Sequence, residues 1–168
     1  MARTVLWTSI IVLFLSLFES AVLANLTFLP VLPDLVLLVV VYVSFINSST
    51  AGSTTGFISG LLLDFLSAAP VGLNAFTKTV TGFIAGRFSG SFNLDRLLIP
   101  ALMGFAATML KALLTVLLSF FFGPEILKYR LLGSALWLET AANTLCAPVV
   151  FSLMSFFPTL FTNRKGLR

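Results

Sequence analysis

The chain has 168 residues, 58% of them hydrophobic and 10% charged, with mean hydropathy +1.08 and a formal net charge of +4. It holds no histidine and one cysteine, Cys146, which excludes His-based catalysis, a Cys/His metal site and an intramolecular disulfide. Long apolar runs punctuated by Gly and Pro leave no room for a separate soluble domain, and no basic run or RNA-binding signature points to nucleic acid.

In chain order, the runs predict an all-α integral membrane protein, a single polytopic domain over 1–168. Six transmembrane helices are expected, at approximately 5–24, 33–47, 52–68, 74–89, 97–122 and 134–157. The first run is about as long as a bilayer span requires, ~20 residues, and reads as an uncleaved helix despite a weak cleavage site at Val22 and Ala24. Helix two opens with Pro33 and Asp34; proline suits a first helical turn, and an acid suits the positive helix end. Its apolar part, 35–46, is short for a span, so local thinning or burial by neighbours is expected.

The stretch 52–74 organises the middle of the chain. Gly52, Gly56 and Gly60 recur every fourth residue, and the next step lands on Asp64. Such a stripe lets a neighbouring backbone approach closely in a membrane. A carboxylate there is costly in lipid and faces protein or a water-filled cavity. Pro70 and Gly72 end the helix, and a second ladder follows at Gly82, Gly86 and Gly90. Residues 52–90 therefore read as a tightly packed central hairpin. Helix five has Pro100 in its first turn and stops at Gly123-Pro124, while helix six carries Pro148 inside, where a kink is expected, and ends at Pro158.

Six spans put both termini on one side. That side collects Arg3, Arg87, Arg96, Arg164, Lys165 and Arg168, against Lys78, Lys128 and Arg130 on the other. The positive-inside rule places both termini in the cytoplasm.

Five charges remain within the spans: Glu19, Asp64, Lys78, Lys111 and Glu139. All fall in the outer half or near the midplane, with Asn74 and Asn143 among their polar neighbours at helical spacing. They are expected to form one cluster inside the bundle, open to the outside, with Asp64 paired to Lys78 or Lys111. The alternative is that each snorkels or pairs independently. With no nucleophile beside a base and no metal constellation, no enzyme activity and no cofactor are expected.

Several motifs resemble the MreD family of rod shape-determining membrane proteins. They are Pro33-Asp34-Leu35, the run 56–65 reading GFISGLLLDF, the run 67–75 reading SAAPVGLNA, and 82–87 reading GFIAGR. About one third of the chain matches closely, and length and six-helix layout fit over the rest. The resemblance implies a non-enzymatic role in the cell-elongation machinery, in the bacterial inner membrane. It implies work with an MreC-like protein and, through it, with MreB, RodA and a penicillin-binding transpeptidase. It also implies a layout similar to the substrate-binding subunits of energy-coupling-factor transporters, which supplies the rival reading: a capture subunit for a vitamin or metal. On the scaffold reading the partner surface lies around Asp64, Pro70, Gly72 and Asn74.

Overall fold

A computed structural model describes residues 2–21, 32–67, 69–91, 97–127 and 133–161. Within them the architecture is all-helical: α1 Ala2–Ala21, α2 Leu35–Ile46, α3 Ser49–Leu66, α4 Leu73–Arg87, α5 Leu98–Phe122, α6 Ser134–Ser155 and a single turn, α7 Pro158–Phe161. A 3₁₀ turn, Pro124–Ile126, follows α5. Among the described residues, α5 and α6 are the helices both long and apolar enough to cross a membrane; α2 and residues 4–18 of α1 are shorter apolar segments.

The shortest of the six main helices is the central one. α2 packs against α1, α3, α4, α5 and α6, and every residue from Val36 to Phe45 is buried. Its sequence, rich in Val and Leu, has no polar face, as a helix enclosed on all sides requires. Burial by neighbours thus accounts for its short length. The expected central element was the glycine hairpin; the structure gives the centre to α2 and sets the hairpin against it.

At its C-terminal end α2 is tied down through Asn47, whose side-chain amide donates to the carbonyls of Val43 and Phe161, both at 2.8 Å. Pro158 does not simply stop the chain after α6. It opens α7, which brings Phe161 into the core edge-on to Tyr42, with Phe151 edge-on to the same ring.

α3 and α4 form the most extensive helix pair, antiparallel, with the two glycine ladders face to face. A Cβ on Gly52 would strike the carbonyl oxygen of Gly82, one on Gly56 that of Lys78, and one on Gly60 that of Asn74. Gly86 meets the backbone of Ser49 in the same way. Gly90 does not belong to the ladder. It lies in the turn beyond α4 with φ 75°, and no atom of the described residues is within 4 Å of where its Cβ would stand. The four-residue spacing carried into it only because the helix was expected to continue to residue 89. The α5–α6 pair has its own close approach: a Cβ on Gly104 would come within 2.8 Å of Ala147 Cβ.

Candidate functional site

Three of the predicted cluster residues meet at one end of the bundle, joined by a residue the sequence reading had not placed there. Asp34 is the N-cap of α2, and its Oδ1 accepts from the backbone N–H of Leu37 at 2.8 Å. This is ordinary capping, in which a side-chain oxygen takes up a donor the helix leaves unbonded. The same carboxylate also receives the lysines of α4 and α5. Lys78 Nζ lies 3.1 and 3.0 Å from Oδ1 and Oδ2, and Lys111 Nζ lies 2.7 Å from Oδ2. Lys111 also reaches Glu139 Oε1, at 2.7 Å.

The chain Lys78–Asp34–Lys111–Glu139 links α4, the start of α2, α5 and α6. Two ammoniums against two carboxylates are formally neutral, which is how a low-dielectric interior tolerates charge at all. Lys78 and Glu139 are 1% and 2% exposed. Asn143 extends the network: its Oδ1 accepts from the Asp34 N–H at 2.8 Å, and its Nδ2 donates to Thr108 Oγ1 at 2.9 Å. The Asp34 role was missed because proline followed by aspartate reads locally as a helix start. Its one visible signal was an acid opening an unusually short, wholly apolar helix.

Asp64 stands outside this chain of charges, and the expected pairing with Lys78 or Lys111 does not occur. Its Oδ2 accepts from the N–H groups of Gly72 and Ala75, at 2.8 and 3.1 Å. Its Oδ1 accepts from the N–H and side-chain Nδ2 of Asn74, at 2.9 and 3.0 Å. The cause lies at the start of α4. The N-cap there is Gly72, which has no side chain to offer and adopts the left-handed φ of 99° that only glycine takes up freely. Asp64 supplies the missing cap from the end of α3, and its negative charge sits against the positive end of α4. The motif joining Asp64, Pro70, Gly72 and Asn74 is therefore an internal lock on the hairpin turn. Asp64 is 2% exposed beneath it, whereas Val71 at the tip is 62% exposed.

Glu19, the remaining member of the predicted cluster, is in α1, but its side chain lies outside the described residues. The same holds for the charges at 95, 96, 128, 130, 164, 165 and 168, and for the side chain of Arg3.

Between the ion chain and the hairpin lock is a cavity of about 250 Å³, lined in part by Asp34, Asn74, Thr77, Lys111, Thr115 and Glu139. A second, larger hollow of about 450 Å³ lies between α2, α4 and α5; its lining, including Val41, Phe45, Ile84 and Leu102, is almost wholly apolar. Among the described residues no group of three or more His, Cys, Asp or Glu is placed to hold a metal ion. Chemically, the polar end offers fixed charges and hydrogen-bonding groups.

A family model described as rod shape-determining protein MreD matches residues 1–157. Neither the curated proteins nor the solved structures contain a match to the chain. The family match spans the ion chain, the hairpin lock and both glycine ladders, and the chain belongs to the MreD family of rod shape-determining membrane proteins.

Proposed function

We propose that the protein is a non-enzymatic component of the bacterial cell-elongation complex that supports rod shape and lateral peptidoglycan synthesis by holding an MreC-like partner and its associated synthases. Through that partner it works with MreB, RodA and a penicillin-binding transpeptidase. The observation that carries this reading is the family match over residues 1–157. The protein resides in the inner, cytoplasmic membrane as a multi-pass protein with six spans and both termini cytoplasmic. Support for six spans comes from the apolar length of α5 and α6 and from the enclosure of short α2 by its neighbours. In this arrangement the ion chain and the α3–α4 turn face outward.

The partner contact is assigned to that turn. A bundle with little chain outside the membrane meets partners through helix faces and short loops. The Asp64 lock fixes the turn before binding, which lowers the ordering cost of association. Val71, Phe65 and Leu66, all exposed, supply the apolar contact, while Asp64, Gly72 and Asn74 hold its shape. Two substitutions separate these roles. Val71→Asp is expected to reduce co-purification with MreC at normal membrane abundance. Asn74→Ala, which breaks part of the lock, is expected to lower abundance and co-purification together. Normal co-purification of Val71→Asp would remove the turn from the interface.

A transporter-subunit reading draws on the polar cavity beside Glu139, and loss of uptake of a vitamin or metal on depletion is the result it requires.

A further inference from the structure

The scaffold role leaves the polar cavity without a use, and its lining has a marked bias. Glu139 Oε1 accepts from Lys111, but Oε2 is buried without a hydrogen-bond partner among the described residues. A buried carboxylate oxygen with no donor is costly, and a native fold retains one where something else supplies the donor. The other polar lining groups present lone pairs as well. The Thr77 hydroxyl donates to the carbonyls of Leu73 and Asn74, and the Thr115 hydroxyl to that of Lys111. Their hydrogens are spent within their own helices, so their oxygens are left as acceptors. Asn74 turns its side-chain amide nitrogen to Asp64, and among the described residues its side-chain Oδ1 accepts no bond. The Lys111 ammonium donates to Asp34 and Glu139. Of the described lining, Ser67 at the exposed rim is the hydroxyl with a hydrogen still to give.

An anion entering this cavity would meet mostly oxygen lone pairs, beside an ammonium already shared by two carboxylates. A group rich in N–H donors would meet partners. The four charges of the ion chain cancel, so a single added cation is not opposed by a net positive field. The lining is partly open: the Lys111 and Asp34 side chains are 20% and 13% exposed, while that of Glu139 is 2% exposed. We propose that this cavity binds a small molecule carrying a primary ammonium, with Glu139 Oε2 as its first acceptor and the oxygens of Asn74, Thr77 and Thr115 completing the lining. The three N–H donors of an alkylammonium match an acceptor-lined hollow of about 250 Å³. The shared chemistry has two sources, a free amine or the ethanolamine head group of a phospholipid.

The test uses the full chain in nanodiscs of phosphatidylglycerol alone, titrated with ethanolamine while thermal stability is followed. Saturable stabilisation is expected, because a ligand that binds only the folded state raises its melting temperature. Tetramethylammonium, a cation with no N–H donor, is expected to give none. Thr115→Val removes one acceptor without disturbing the ion chain and is expected to weaken ethanolamine about tenfold, as the loss of a charge-assisted hydrogen bond does. Glu139→Gln is expected to weaken it further; should that variant not fold, Thr115→Val decides alone. Stabilisation by phosphatidylethanolamine nanodiscs but not by free ethanolamine, lost in Thr115→Val, assigns the head group as the source and upholds the site. Equal responses to tetramethylammonium and ethanolamine, a Thr115→Val response equal to wild type, or no response to either source would overturn it.

Discussion

Asp34 and Asp64 are both acids at helix ends, yet each solves a different electrostatic problem. Asp34 gathers two ammoniums and caps α2; Asp64 replaces a side chain that Gly72 lacks. Asp34→Asn leaves Lys78 and Lys111 facing a neutral amide, and stranding a buried partner costs about 3–5 kcal/mol. Folded yield in detergent is expected to fall sharply, and Lys78→Met is expected to restore part of it. Asp64→Asn should cost less, on the order of 1–3 kcal/mol, since an amide oxygen still accepts from some of the same N–H groups. Neither Lys78→Met nor Lys111→Met should rescue it; a rescue would mean that Asp64 shares the lysines after all. The charged residues Lys78, Lys111 and Glu139 were legible in the sequence, because an ionisable group in an apolar run needs a partner. Their common partner was not. Asp34 sits at 44 and 77 residues from the two lysines, and no helical period connects positions on different elements.

At the scale of elements, the α3–α4 contact is a backbone-to-backbone approach made possible by absent side chains. Gly56→Leu is expected to force the helices apart, because the atom its Cβ would meet is the main-chain carbonyl of Lys78, which cannot swing aside. Overpacking of this kind costs about 1–3 kcal/mol or more. Thr54→Leu, on the exposed face of the same helix, is the matched control and is expected to leave thermal stability near wild type. Equal loss in both variants would mean that the ladder does not carry the packing. The ladders were readable because a four-residue repeat of glycine has a direct geometric meaning on a helix. What could not be read was that α2, with no polar stripe, becomes the centre. A helix without a face gives no sign of which neighbours enclose it. α7 was hidden for a related reason: proline marks an end equally well as the start of a new turn.

The whole molecule belongs to a family of rod shape-determining membrane proteins and carries one polar end and one locked turn. Orientation is open to direct measurement in intact cells, with Cys146→Ser as the background. Single cysteines at Ser91 and Thr162 are expected to resist impermeant thiol reagents, and one at Leu127 to react; external labelling at Thr162 would reverse the topology. The family assignment bears on shape, so the most direct measurement is cell morphology on depletion. Cells depleted of this protein are expected to lose rod shape and round up, with recovery on expression of the wild-type chain. Cells that stay rod-shaped and instead lose uptake of one vitamin or metal would contradict the scaffold and leave the transporter reading in its place.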